Sequence, residues 1–321
     1  MGVKHLNNYL NKNCQNGITK HDLRNLTGKT IVVDAFIYLY KFMTNDNVYE
    51  NMFNMCFKFR ENNITPIFVF DGKTPNEKSD EVKKRSIRKN IAKDKYDALS
   101  EKLWALKMLP RQCYSDMQKI KGDMQKLKRQ YVRVTDEIIE DVKLLISGCG
   151  YKYIQAPYEA DIICAEMVKS SKAYAIMSED MDYFIYGCPI VIRYFSIMNS
   201  NYIEYDYNKI MDDLDITPDI FKQICVYSGT DYKESDHTFI DNIEYYNINK
   251  ELIKSLSEEE YIYFNMRESN KESIEQLIKT HDMFIINERN ACYYEDINFN
   301  AEPYNKEIIG SVLKKENFVL V

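Results

Sequence analysis

Several short runs of apolar residues punctuate an otherwise polar chain, at positions 30–35, 66–71, 151–154, 174–177 and 190–194. Each is nearly continuous in hydrophobicity rather than alternating. That pattern suits strands buried on both faces, as in a parallel sheet. Between them lie stretches with helical spacing. Residues 53–62 form one, and 135–147 form another, opening on Asp136 and Glu137 before Ile138, Ile139, Val142 and Leu145. Strand–helix alternation predicts an α/β fold with a parallel sheet.

The rhythm breaks between Gly72 and about Arg133. This long charged segment has helical periodicity, with one break at Leu109 and Pro110. It reads as two helices inserted between core strands. From Asp231 onward the pattern is mostly helical, giving a core over 1–230 and a C-terminal helical region over 231–321.

Charge sharpens that division. The net charge is −6. Residues 73–133 carry 18 Lys and Arg against 8 Asp and Glu, an excess of +10 that leaves −16 for the rest. A basic segment beside an acidic body suits a protein that grips phosphates in one place and cations in another; a solvated Lys-rich helix pair explains the segment equally well. The eight cysteines include no Cys-x-x-Cys pair and only four histidines accompany them, which argues against a zinc site or a disulfide framework. No apolar run reaches the roughly 20 residues of a membrane helix. No secretory leader and no myristoylation signal are expected, since position 6 is Leu.

Acids stand where the apolar runs end. Val33 leads into Asp34, and Phe70 into Asp71 and Gly72. Ligands of open α/β sheets bind at the carboxyl ends of strands, so these acids converge on one crevice. The run at 173–177 continues into Ser178, Glu179, Asp180, Met181 and Asp182; in an extended segment Asp180 and Asp182 point to one side. Glu159 and Asp161 stand at a helix start with Pro157 near its first turn. Residues two apart do not share a helix face, so that pair needs an irregular first turn or serves two different ions. Asp231 follows a further helix after Ser228, Gly229 and Thr230. Any one of these acids could be a cap or a turn residue. The set cannot converge without protonation or bound cations. Oxygen donors with few histidines select Mg²⁺ or Mn²⁺, and two such ions suit phosphodiester hydrolysis.

With these stretches in order, together with Met1, Gly2 and Val3, the chain resembles the flap endonuclease and exonuclease-1 superfamily of structure-specific 5′ nucleases over residues 1 to about 235. Asp161, where flap endonucleases usually carry Glu, is closer to the exonuclease branch. The resemblance implies a PIN-like nuclease core under a helical arch formed by 73–133. It implies that Asp34, Asp71, Glu159, Asp161, Asp180, Asp182 and Asp231 hold two Mg²⁺ ions, with Mn²⁺ as an alternative. It further implies that Lys78 and Arg85 contact the scissile phosphate and that Tyr40 stacks on a base. Without it, a core position among Ile37, Tyr38 and Phe42 is the plainer reading of Tyr40. Gly2, Lys83, Lys84, Arg88, Lys89, Arg133 and Arg193 are the remaining expected DNA contacts. The implied partner is flapped, nicked or 5′-ended DNA, met by a monomer at a nuclear or viral cytoplasmic replication site. Junction binding without cleavage, and a 5′ exonuclease on RNA, are the alternatives.

The chain departs from the family after Asp231. A Gly-Ile-Gly-type turn that holds a monovalent cation is usual there, yet no glycine stands between Gly229 and Gly310, and Thr238 and Ile240 fall near its place. Loss of that cation site and a weaker grip on the distant duplex are expected. A sliding-clamp peptide is not recognisable. A compact, AT-biased chain of this kind suggests a viral or parasite member.

Overall fold

The computed structural model describes residues 2–44, 47–74, 78–108, 114–233, 235–253, 271–286 and 291–318. Seven strands form one sheet: β1 (Ile18–Asp22), β2 (Thr30–Asp34), β3 (Thr65–Phe70), β4 (Tyr153–Gln155), β5 (Ala175–Met177), β6 (Ile190–Ser196) and β7 (Asn201–Asp206), in the order β1-β7-β6-β5-β2-β3-β4. The five strands from β6 to β4 in that order pair in parallel. β7 and β1 add an antiparallel edge.

The two edge strands escaped the sequence reading for a physical reason. β1 has no buried residue and β7 buries only Tyr202 and Tyr205, so neither forms an apolar run. The central strands behave as expected. In β2, Val32 joins one apolar cluster while Ile31 and Val33 join the other. Alternate residues thus enter two covered faces, which is why the run is continuous.

The described helices are α1 (Leu6–Asn13), α2 (Ala35–Met43), α3 (Val48–Glu61), α4 (Ser79–Lys107), α5 (Tyr114–Tyr131), α6 (Asp136–Gly148), α7 (Ala160–Lys169), α8 (Asp182–Ile185), α9 (Tyr207–Leu214), α10 (Pro218–Tyr227), α11 (Phe239–Ile253), α12 (Lys271–Met283) and α13 (Lys306–Leu313). Residues of α1, α7, α8, α10 and α11 line the Val32 face, and those of α2, α3, α6 and α13 line the other. The C-terminal α13 therefore returns to the core, with Ile309, Val312 and Leu313 buried there.

The inserted segment is the expected helix pair. α4 and α5 pack through Leu103, Met117 and Ile120, and Tyr96 meets Tyr131 edge-on at 5.2 Å. The break expected at Leu109 and Pro110 lies outside the described residues. β2 is flanked by β5 and β3, so the chain reverses direction across the sheet at β2, and in such sheets ligands bind in the crevice beyond the carboxyl ends there.

Candidate active site

Each carboxylate is placed by the end of a regular element. Asp34 closes β2 and caps α2, its Oδ1 accepting the Ile37 N–H at 3.4 Å. Its Oδ2 accepts from Ser178 Oγ at 3.0 Å and Tyr183 Oη at 3.4 Å. Burial pushes the Asp34 carboxyl up to about 7, and Asp71 and Asp180 add to the shift. Asp71 follows β3 and accepts the Ala160 N–H at 2.8 Å, tying that strand end to the start of α7. Its carboxyl is also raised, by burial first.

Glu159 and Asp161 need no irregular turn. Glu159 is the residue that caps α7, with extended φ and ψ, so it stands outside the helix that Asp161 enters. Pro157 accordingly lies before the cap and not at the first helical position expected for it. Glu159 accepts from Tyr232 Oη at 2.6 Å, and Asp161 from Tyr183 Oη at 2.9 Å. The extended reading of 180–182 is also corrected. Met181 is helical and Asp182 is the first residue of α8, with its N–H donated to Asp180 Oδ1 at 3.2 Å. A tight turn, not a strand, brings the two acids together.

Asp182 is 2% exposed, and its Oδ1 is buried with no hydrogen-bond partner. Burial, Asp180 and Asp231 hold its carboxyl well above the ordinary range. Gly2 lies against this pair. Its φ is +83°, and a Cβ there would collide with Asp182 Oδ1 and press on Asp180 Oδ1 at 3.2 Å. Only glycine meets both demands.

Two cations reach in from the start of the inserted helix pair. Lys78, the cap of α4, places Nζ 2.5 Å from Glu159 Oε1 and 4.5 Å from the centroid of the Tyr232 ring. Burial alone would lower the Lys78 pKa, but Tyr232, Asp161 and Glu159 outweigh it and hold the proton firmly. Arg85, two turns along α4, pairs with Asp231. Asp231 sits in the turn after α10 that the Thr230–Lys233 bridge closes.

The expected DNA contacts divide. Tyr40 is 39% exposed with the Lys89 ammonium 4.9 Å from its ring centroid, so the core reading fails for it. Lys83, Lys84 and Arg88 are exposed along α4, and Arg133, also exposed, donates to Asn90 Oδ1 at 2.9 Å. Arg193 is the correction. It is buried and donates to Asn7 Oδ1 at 2.5 Å and to the Glu179 carbonyl at 2.9 Å. It braces the loop that carries Asp180 and has no open face for a phosphate. Sequence reasoning missed Tyr183 and Tyr232 as hydroxyl donors to the carboxylates. The only signal was adjacency, since each directly follows a site acid.

The donor set fits hard divalent cations in chemistry, through the raised carboxyls of Asp34, Asp71, Asp161 and Asp182 and the orphaned Asp182 oxygen. As placed, no three donor side chains among the described residues close around one point. Glu159 and Asp231 are instead paired with Lys78 and Arg85.

Residues 1–92 match the XPG N-terminal domain and residues 150–231 the XPG I-region. The chain belongs to the flap endonuclease/XPG superfamily. It is 32% identical over 254 residues to flap endonuclease 1 of Candida tropicalis, covering 73% of this chain and 64% of that protein. Against flap endonuclease 1 of Xenopus tropicalis it is 30% identical over 236 residues, 68% of this chain and 58% of the relative. This superfamily member thus spans less than two thirds of the length of these relatives. Its fold is similar to the catalytic core of Rad2 in complex with DNA substrate, with TM-score 0.61, 20% identity and coverage of 98% of this chain and 95% of that one. Flap endonuclease-1 from Methanococcus jannaschii gives TM-score 0.61 and 21% identity, with coverage of 98% and 93%.

Thr238 and Asp241 cap the start of α11 reciprocally, the Thr238 N–H and Oγ1 both donating to Asp241 Oδ2 at 2.7 Å. Glu234 lies outside the described residues.

Proposed function

We propose that this chain is a structure-specific 5′ nuclease that hydrolyses flapped, nicked or branched DNA in replication, recombination or repair. The observation that carries the reading is the meeting of seven strand- and helix-end carboxylates with Lys78 and Arg85 from the basic helix pair. Asp34, Asp71, Glu159, Asp161, Asp180, Asp182 and Asp231 would hold two divalent ions, Mg²⁺ or Mn²⁺. Such ions supply charge neutralisation at the phosphate and a lowered pKa for an attacking water.

The chain's own groups do the rest. Lys78 stays protonated in a nearly dry setting, and an ammonium there offsets charge developing on a phosphate. Arg85 presents a planar fork suited to two phosphate oxygens. The exposed Tyr40 ring offers a base a stacking face beside that phosphate. Lys83, Lys84, Arg88, Lys89 and Arg133 supply sequence-independent backbone grip. A duplex-gripping role for the helices after residue 230 belongs to the same proposal, although α13 packs in the core and residue 230 is no packing boundary, as does action as a monomer wherever DNA is replicated. Among the described residues no helix is long and apolar enough to cross a membrane.

The test is purified protein with Mg²⁺ or EDTA on labelled flap DNA, nicked duplex DNA and single-stranded RNA, beside Asp182→Ala. Mg²⁺-dependent release of 5′ fragments from DNA, lost in the variant while DNA is still bound, is expected. Binding of every DNA without cleavage, or cleavage confined to RNA, sinks the proposal.

A further inference from the structure

Trp104 is the chain's only tryptophan, and it stands 64% exposed near the far end of α4. Its neighbours are not exposed by accident of a loose helix. Leu103 beside it is buried against Met117 and Ile120 of α5, so the packing face of the hairpin is filled and Trp104 points away from it. The hairpin's own packing does not use the indole, and its ring faces solvent.

Its position along α4 is informative. Arg85 and Lys89 mark the side of the helix that meets the crevice, through Asp231 and Tyr40. Lys93 lies about one turn beyond Lys89, and Trp104 about three turns beyond Lys93, because eleven residues make close to three turns. Lys93 and Ser100 on that line are exposed. Arg85, Lys89 and Lys93 therefore lead away from the crevice along one side of α4; the exposed Asp97 and Ser100 follow on that side, and the indole stands about 22 Å from Lys89. Tyr114, 72% exposed, begins α5 at the same end of the hairpin.

We infer that Trp104 is a stacking platform for single-stranded DNA, holding a base of the strand that leaves the crevice along the basic side of α4. A cationic track with an aromatic face is the recurring solution for unpaired strands, since every base has a π-face and every nucleotide a charge. The excess of +10 over 73–133 provides the complementary charge. The inference rests on the nuclease reading only for its choice of DNA.

The single indole is its own reporter. In EDTA, with the full chain and a short oligothymidylate, binding quenches Trp104 fluorescence saturably and more weakly as salt rises. By anisotropy of a labelled oligothymidylate, Trp104→Phe binds nearly as wild type and Trp104→Ala roughly tenfold more weakly. Both variants melt as wild type, because the side chain is exposed. In Mg²⁺, Trp104→Ala cuts nicked duplex normally and long-flapped DNA more slowly at low enzyme concentration. An oligothymidylate that binds without changing the fluorescence, or that binds Trp104→Ala as tightly as wild type, overturns the inference; a protein contact at Trp104 would give that result. A wild-type chain that cuts nothing removes the nuclease reading, while the quenching still decides the stacking.

Discussion

Replacing Asp34 by Asn should stabilise the protein in EDTA at pH 8 while removing its cleavage activity. The Asp34 carboxyl is held at about 7 where an ordinary aspartate ionises at 3.8. Keeping it ionised in the folded chain at pH 8 therefore costs roughly 4 kcal/mol. Asparagine keeps an oxygen for the Ile37 N–H but puts an amide where Oδ2 accepts from Ser178 and Tyr183. Those two lost bonds offset about 1 kcal/mol each. The net gain is about 2 kcal/mol, or roughly 3 °C in melting temperature for a chain of this size. Neutralising Asp34 also relieves Asp161, whose carboxyl it helps to raise. The pH dependence follows from linkage. The folded chain keeps a proton on Asp34 that the unfolded chain has lost, so wild-type stability falls as pH rises from about 4 to about 7. The variant has no such loss, so its advantage is full at pH 8 and close to nil at pH 5. Thermal melts in EDTA at the two pH values measure this. Mg²⁺ should reverse the order at pH 8, since a ligand of the folded wild type raises its stability. A variant that melts below wild type at pH 8 in EDTA, or a gap unchanged by pH, would refute the electrostatic account of the crevice.

Gly2→Ala should fold with a melting temperature within a few degrees of wild type yet lose cleavage, because its Cβ would displace Asp182 and its φ of +83° is strained for alanine by about 1–2 kcal/mol; activity within threefold of wild type would show that the carboxylates tolerate the shift. Lys78→Ala and Arg85→Ala should lower the single-turnover rate by about 10²–10³ and affinity much less, by analogy with donors to a developing oxyanion; an affinity collapse at an unchanged rate would make them ordinary phosphate anchors. Substrate binding at equal ionic strength should be the same in KCl and in the chloride of a large organic cation, because the segment after Asp231 spends Thr238 on capping α11 and offers no glycine between Gly229 and Gly310. A K⁺-specific gain lost on mutating residues 229–240 would show that the chain rebuilds the cation site without glycine.

The parts of this protein that apolar patterning controls were legible before the fold was known. Residues 31–33 and 66–70 are continuous apolar runs because both faces of β2 and β3 are covered, and the acids that end them had to fall at one edge of the sheet. What patterning does not control was misread in a consistent way. Residues 180–182 look extended by continuation from β5, but the Asp182 N–H finds Asp180 Oδ1 and turns the chain into α8. Pro157 suggested a helix start three residues early, because proline fixes only its own φ and leaves Glu159 to form the cap. Arg193 carries a charge that reads as a surface contact, yet it is sunk between Asn7 and Glu179, residues far from it in the chain. Tyr183 and Tyr232 were invisible for the same reason, since a hydroxyl's partner is set by tertiary approach and not by spacing. The carboxylates could be named from the sequence because mutual repulsion makes their convergence improbable without cations. The groups that aim them could not, because a neutral donor beside an acid has no signature until the chain has folded around it.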